Sequence, residues 1–183
     1  GAISNNASNL GIASMSISNC SFTNNAAAFG GAIYDFSEIG GNASPTIKNC
    51  LFSNNTATQN GGGIYNDGVD SGTSSPTITN CVFSNNSAKL RGGGILNFGI
   101  SNGNANTTAI NCTFYGNSAG LSGGAISNDF AEPIFRNCIF WDNLQNGANN
   151  VAGADIYESS SSSSTLTNCL TQANSTYSSG ASI

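Results

Sequence analysis

Acidic side chains are concentrated in one late segment of the chain. Five of the nine acidic residues lie between residues 129 and 158, where the spacing of the sequence landmarks also becomes irregular. Asp129 and Glu132 follow the Gly-Gly-Ala-Ile stretch that ends at Ile126. Asp155 and Glu158 lie on either side of Ile156, the corresponding isoleucine one repeat later. Carboxylate oxygens are preferred Ca²⁺ ligands, and stacking of successive repeats would bring Asp129 near Glu158. The segment therefore predicts a calcium site formed by these four acids, and no other cofactor is expected.

The same acids do not predict a catalytic centre. A glycosidase needs two carboxylates that flank the scissile bond, and a β-helical lyase needs a base beside Ca²⁺ held by acids. The chain contains no histidine, and Arg136 is the one arginine within the acidic segment. We therefore expect no enzymatic activity and name no catalytic residue. A polysaccharide-binding or lyase-like β-helix remains the alternative.

Two further patterns could bind ligands on an outer face. Tyr34, Tyr65 and Tyr157 each follow the isoleucine of a glycine-led stretch, so we expect them to face solvent, where their rings could stack on surface glycans. Packing between neighbouring strands is the alternative role. Thr77 and Thr79 belong to an interrupted Thr-x-Thr pattern of the kind found in ice-binding solenoids, which gives a weaker third hypothesis for function.

The elements that would position these residues follow from an internal repeat. An Asn-Cys pair recurs about every 31 residues, and a glycine-rich step into an isoleucine recurs in phase with it. The cysteines are Cys20, Cys50, Cys81, Cys112, Cys138 and Cys169. The isoleucines are Ile3, Ile33, Ile64, Ile95, Ile126 and Ile156. Two landmarks in phase over the chain indicate a repeat architecture.

Each repeat contains three stretches that are typical of strands: the glycine-led stretch, the residues before Asn-Cys, and the residues from Cys to Phe. All three prolines lie five residues before a cysteine, which suits the start of a strand. Asn tolerates the left-handed conformation that a sharp corner needs. The sequence thus predicts an all-β, right-handed parallel β-helix (β-solenoid) of about six rungs with three strands per rung, in one domain over residues 1–183.

Stacking of these rungs predicts ladders of identical side chains. The isoleucines and the phenylalanines should each form an inner ladder, and the corner asparagines should exchange amide hydrogen bonds along the axis. Because parallel Cβ vectors suit a disulfide poorly, we expect free thiols.

Composition narrows the possible partners. Lys and Arg total four against nine acids, giving a formal charge of −5, which disfavours nucleic acid and anionic membranes. No stretch approaches the roughly 20 apolar residues of a spanning helix, so membrane insertion is not expected. The chain starts and stops at the same phase of the repeat, which suits either an excerpt of a longer solenoid or a unit that associates end to end.

The pairing of Gly-Gly-Ala-Ile with Phe-x-x-Asn resembles the repeats of the polymorphic outer-membrane proteins of chlamydiae and of related bacterial β-helix surface proteins. Residues 30–33 and 123–126 match the first motif. The second motif occurs at residues 22–25, 52–55, 83–86, 114–117 and 140–143. The resemblance implies a secreted or surface-displayed bacterial region, often adhesive. We accordingly expect a non-enzymatic extracellular stalk, surface or fibre module.

Overall fold

The computed structural model describes residues 1–149, 151–172 and 176–178. Within this part of the chain every regular element is a β-strand. Strands of successive turns pair in parallel and in register, as in Ile33 with Ile64 and Phe52 with Phe83. The predicted parallel β-solenoid is therefore confirmed.

Five turns each contribute four strands, and a sixth turn follows. The first turn comprises β1 (Ile3–Ala7), β2 (Ser16–Ser18), β3 (Ser21–Thr23) and β4 (Ala26–Phe29). The second comprises β5 (Ile33–Ser37), β6 (Thr46–Lys48), β7 (Leu51–Ser53) and β8 (Thr56–Asn60). The third comprises β9 (Ile64–Val69), β10 (Thr77–Thr79), β11 (Val82–Ser84) and β12 (Ser87–Ala88). The fourth comprises β13 (Ile95–Ile100), β14 (Thr108–Ile110), β15 (Thr113–Tyr115) and β16 (Ser118–Ala119). The fifth comprises β17 (Ile126–Asp129), β18 (Ile134–Arg136), β19 (Ile139–Trp141) and β20 (Leu144–Gln145). The remaining strands are β21 (Ile156–Glu158), β22 (Thr165–Thr167) and β23 (Thr176–Ser178).

Corresponding strands of successive turns form four parallel sheets. Sheet 1 has the order β1-β5-β9-β13-β17-β21-β23, and sheet 2 has the order β2-β6-β10-β14-β18-β22. Sheet 3 contains β3, β7, β11, β15 and β19, and sheet 4 contains β4, β8, β12, β16 and β20. The prediction of three strands per rung is therefore wrong, because each complete turn has a fourth strand after the Phe-x-x-Asn motif.

A second corner in each turn creates this fourth strand. The first corner is the predicted one, with left-handed φ values of 53° to 55° at Asn19, Asn49, Asn80, Asn111, Asn137 and Asn168. The second lies directly before the Asn that closes the Phe-x-x-Asn motif, and there φ is 54° to 63° at Asn24, Asn54, Asn85, Gly116 and Asp142. Asn, Asp and Gly accept this conformation at low cost, so both corners follow from residue type.

Glycine forms the corner that leads into sheet 1. Gly92 has a left-handed φ of 64°, and a Cβ added to Gly93 would lie 2.2 Å from the carbonyl oxygen of Gly124. Neighbouring turns approach so closely here that a side chain cannot be accommodated. The repeated Gly-Gly pair is therefore a packing requirement of the scaffold.

The interior contains the two predicted apolar ladders. Ile33, Ile64, Ile95, Ile126 and Ile156 are fully buried, as are Phe52, Phe83, Phe114 and Phe140. Rings of consecutive phenylalanines stack with centroids 4.6 to 4.9 Å apart. Each side chain packs on its own kind in the next turn, so the core stabilises turns jointly rather than singly.

Asparagines form two ladders along the axis. At the exposed first corner, Nδ2 of each Asn donates to Oδ1 of the Asn one turn earlier at 3.1 to 3.2 Å, as predicted. The second ladder consists of Asn25, Asn55, Asn86, Asn117 and Asn143. All of them but Asn25 are fully buried, and their Nδ2 to Oδ1 distances are 2.8 to 3.0 Å. We call this second set the buried Asn ladder.

The six cysteines are free thiols, as predicted, and they differ in exposure. Cys20 is exposed and Cys169 is half-buried, whereas Cys50, Cys81, Cys112 and Cys138 are buried. Brief treatment of the native protein with a maleimide should therefore label Cys20 first and Cys169 more slowly, with the other four reacting only in denaturant. Intact-mass analysis with time would measure this, and Cys20→Ser should abolish the fast step. Rapid labelling of a buried thiol would contradict the assignment.

Candidate functional site

The predicted calcium ligands lie in separate environments. Asp129 and Glu158 approach one another through neighbouring strands, since Glu158 pairs in register with Asn128. Successive residues of a strand point to opposite faces, however, so the two carboxylates lie on opposite sides of sheet 1. The Asp129 side chain is on the outer face, where its Oδ2 accepts an ion-pair hydrogen bond from Arg91 Nη1 at 2.7 Å.

Glu158 points into the interior. It is 1% exposed, and its Oε1 accepts hydrogen bonds from Asn128 Nδ2 at 3.0 Å and from Ser164 Oγ. Its Oε2 is buried and has no hydrogen-bond partner. Burial raises the pKa of Glu158, and the hydrogen bonds from Ser164 and Asn128 only partly oppose that effect. The protonated form is therefore favoured by the surroundings of this carboxyl group.

The other two acids have further roles. Asp155 is fully buried, and its Oδ1 accepts a hydrogen bond from Asn143 Nδ2 at 2.8 Å, so it continues the buried Asn ladder at its last member. Glu132 is exposed, and its backbone N–H donates to Asn106 Oδ1. Among the described residues, no group of three or more Asp, Glu or Cys side chains is arranged to hold a metal ion. Calcium binding remains a prediction from the sequence.

Glu158 ends a column of polar side chains inside sheet 1, which we call the inner polar column. In register order its members are Asn5, Asp35, Asn66, Asn97, Asn128 and Glu158. Amide Nδ2 groups donate to the next Oδ1 at 2.8 Å from Asn66 to Asn97 and from Asn97 to Asn128. Period-two alternation from the inner isoleucines could have revealed this column, because each member lies two residues after one of them.

Asp35 interrupts the amide pattern of that column. Its Oδ1 accepts from Asn5 Nδ2 at 2.5 Å and its Oδ2 from Ser74 Oγ at 3.2 Å. The next member, Asn66, has an Oδ1 without any donor. Burial raises the pKa of Asp35 from 3.8 to about 7, although the hydrogen bonds from Asn5 and Ser74 lower it. A proton on Asp35 would supply a donor that the column lacks.

The three tyrosines do not form one ladder. Tyr34 and Tyr65 pair in register and stack with centroids 5.3 Å apart, but Leu96 and Ser127 occupy the next two positions before Tyr157. The expectation that all three face solvent is wrong for Tyr65, which is 6% exposed. Phe29, at the end of β4, packs over it with ring centroids 5.7 Å apart. Covering residues from this neighbouring segment explain the burial.

A cleft of about 220 Å³ opens on the outer face of sheet 1, next to these tyrosines. We call it the outer cleft, and its lining residues are Asn60, Tyr65, Leu90, Arg91, Leu96, Phe98, Leu121 and Asp129. Asn60 Oδ1, at the end of β8, is buried and has no hydrogen-bond partner. Asp67, two residues after Tyr65, accepts from the Tyr34 hydroxyl at 2.8 Å through Oδ2, while its Oδ1 is buried without a donor.

A larger groove of about 340 Å³ lies at the turns beyond β13 and β17 and includes Glu132. Two of its amide oxygens already accept hydrogen bonds: Asn104 Oδ1 from Ser75 Oγ at 2.7 Å, and Asn106 Oδ1 from the Glu132 backbone N–H. The smaller outer cleft is the stronger candidate site, since of the two linings it alone includes a buried acceptor without a donor, Asn60 Oδ1. The sequence could not indicate it, because its walls come from segments about 30 residues apart.

The fold defines the class, which is a parallel β-solenoid. Its interior is formed by the repeated isoleucines, the repeated phenylalanines and the asparagines of Phe-x-x-Asn, while many residues that differ between turns lie outside. The sequence profile described as the Chlamydia polymorphic membrane protein repeat matches residues 19–35, 49–67, 80–97 and 111–129. Searches of curated proteins and of solved structures returned no significant match. In the described part of the chain, no helix has the length and apolar character needed to cross a membrane. The chain is a β-solenoid that carries Chlamydia polymorphic membrane protein repeats, as its motifs suggested.

Proposed function

We propose that this chain is an extracellular module of a bacterial cell surface, that it presents an adhesive face on a rigid solenoid, and that it has no catalytic activity of its own. The repeat match supports a surface-associated solenoid. The observation that carries the adhesive part is the burial of the motif residues. Phe83 and Asn86, which define one Phe-x-x-Asn copy, are both fully buried. Repetition of these buried residues along the chain maintains the scaffold, while the outward residues differ from turn to turn.

Those outward positions include exposed apolar side chains on neighbouring strands of sheet 3. Leu51, Val82 and Ile139 are 40%, 40% and 43% exposed, and Tyr115 and Trp141 are each 46% exposed. Tyr115 and Trp141 pair in register, so they present adjacent rings. Exposed apolar groups on neighbouring strands are more typical of a contact surface than of an inert spacer.

Beads coated with the folded chain should attach to cultured epithelial cells several-fold more than beads coated with chain that was heat-unfolded before coupling. Coupling through the exposed Cys20 would orient the solenoid and leave sheet 3 accessible. Counting attached beads by microscopy measures the effect. Equal attachment of both bead types would leave only the structural role.

The non-enzymatic part needs its own assay. Incubation of the chain with polygalacturonate and Ca²⁺ should release neither new reducing ends nor unsaturated products, with an authentic pectate lyase as the positive control. Burial raises the pKa of three carboxyl groups. Asp35 and Glu158 point into the filled interior and cannot reach a polymer, and Asp67 is 7% exposed and accepts a hydrogen bond from the Tyr34 hydroxyl. Steady product formation would overturn this part of the proposal.

A further inference from the structure

The outer cleft has a composition that restricts what can occupy it. One wall is apolar, with Leu96 and Phe98 on β13 and Leu121 between β16 and β17. Tyr65 lies beside them, stacked on Tyr34. Apolar and aromatic surfaces of this kind pack against the C–H face of a ring rather than against a strongly hydrated ion. The volume of about 220 Å³ lies below the roughly 300 Å³ at which sites for drug-sized ligands begin, so one ring fits better than a large ligand.

One polar group of the lining lacks a partner. Asn60 Oδ1 is a buried acceptor that receives no hydrogen bond within the protein. A buried acceptor without a donor is unfavourable, so an occupant with a hydroxyl donor would recover part of that cost. Asp67 lies outside the lining, where its Oδ2 accepts from the Tyr34 hydroxyl at 2.8 Å.

The charges at the cleft favour a neutral occupant. Asp129 pairs with Arg91 at 2.7 Å, and the Arg91 side chain is 44% exposed, so it can still donate to a ligand. Asp67 lies outside the lining beside Tyr65, and burial raises the pKa of its carboxyl group. The lining itself holds one carboxylate paired with one guanidinium group, so an anionic ligand would gain no net attraction.

We propose that the outer cleft binds one neutral pyranose ring of a glycan, which places its C–H face on the apolar wall and donates a hydroxyl hydrogen bond to Asn60. The inference deepens the adhesive function proposed above and rests on it only for the biological setting. Arg91 donates to a ring or hydroxyl oxygen of the same sugar, while Asp129 holds the guanidinium group in position. Neutral hexoses and N-acetylhexosamines fit this chemistry, and uronic acids do not.

Saturation-transfer NMR with methyl glycosides of glucose, galactose, mannose, N-acetylglucosamine and glucuronic acid tests the proposal on the whole chain. At least one neutral glycoside should bind with Kd in the range of about 0.1 to 10 mM, which is ordinary for a single small ring. The glucuronide should bind at least about tenfold more weakly. If no neutral glycoside bound, or if the glucuronide bound as tightly as the best neutral glycoside, the assignment would be overturned.

Variants locate the site. Asn60→Leu removes an orphan acceptor at similar size, and Leu121→Trp fills the cleft; each should weaken the glycoside by about tenfold or more. The matched controls are Gln59→Leu, an exposed neighbour on β8 that does not line the cleft, and Leu10→Trp, an exposed leucine in the turn between β1 and β2 that lies outside both the cleft and sheet 3. Circular dichroism and thermal midpoints would establish that each variant is folded. Unchanged binding in both cleft variants would overturn the site.

The bead assay separates this inference from the proposed function. Cell attachment that persists without any glycoside binding would reject the pyranose site and leave adhesion standing. Glycoside binding without cell attachment would support the site and reject adhesion to those cells. Loss of both glycoside binding and cell attachment in Leu121→Trp, with neither lost in Leu10→Trp, is the result expected if adhesion uses this cleft.

Discussion

Asp35→Asn is expected to raise the free energy of unfolding at about pH 8 by on the order of 4 kcal/mol and to change it little at about pH 4. The reason is the inner polar column. Asn5 already donates to Asp35, and the Oδ1 of Asn66 lacks a donor. Asparagine at position 35 would accept from Asn5 and donate toward Asn66, as Asn97 and Asn128 do in their places. The substitution also removes a charge from a fully buried position.

The direction of the pH dependence follows from the shift. The pKa of Asp35 rises from 3.8 in an ordinary carboxyl group to about 7 in the folded protein. Between these values the folded protein binds more protons than the unfolded chain, so stability falls as pH rises through this window. Below it, both states are protonated and the penalty is absent. Above it, both are ionised and the full penalty persists.

Urea titrations of the wild type and the variant between about pH 4 and pH 8 would measure this. Glu132→Gln is the matched control, because it removes a carboxylate from an exposed position and should leave the pH profile unchanged. A residual slope in Asp35→Asn should come largely from Glu158 and Asp67, whose pKa values are also raised by burial. A wild-type profile that is flat over this range, or destabilisation by Asp35→Asn at about pH 8, would contradict the protonated state inferred for Asp35.

The repeat made the scaffold predictable where residue type and spacing act together. Asn at the first corner was predicted from its tolerance of left-handed φ, and values of 53° to 55° are found there. The stacked isoleucines and phenylalanines follow because register in a parallel solenoid fixes each side chain against its equivalent. These features depend only on residues that recur in every turn, so the sequence of one repeat is enough to predict them.

Other features depend on contacts that a single period does not reveal. The fourth strand can be as short as Ser87–Ala88, too short to show an alternating pattern. Burial of Tyr65 depends on Phe29 from another turn, and the outer cleft depends on walls from several turns. The inner polar column is different, because it depends on a single strand. Asn66 lies two residues after Ile64 and must share its face, so alternation alone indicates the position of the column.

Asn86→Ala should be among the most destabilising single substitutions in the solenoid, at about 3 to 5 kcal/mol. Asn86 Oδ1 accepts from both the backbone N–H and the Nδ2 of Asn55, at 3.0 and 2.8 Å. Its Nδ2 donates to the carbonyl of Phe52 and to Oδ1 of Asn117, each at 2.9 Å. Alanine would remove all four hydrogen bonds at once in a site that excludes water. Asn55 Nδ2 would keep its bond to the Phe22 carbonyl and Asn117 Oδ1 its bond from the backbone N–H of residue 86, whereas the Asn55 backbone N–H would lose its acceptor. Urea unfolding at about pH 5 would measure the loss.

Asn80→Ala provides the comparison. Asn80 belongs to the exposed corner ladder, so water can replace the hydrogen bonds that its side chain makes. Its cost should be about 1 to 2 kcal/mol, chiefly from forcing alanine into a φ of 55°. Asn80→Gly should recover most of it, since glycine accepts that conformation. If Asn86→Ala cost no more than Asn80→Ala, the buried Asn ladder would not be what joins the turns. A much larger loss of stability in Asn86→Ala than in Asn80→Ala would mean that the Asn of Phe-x-x-Asn holds successive turns together. Binding would then depend on the residues that point outward.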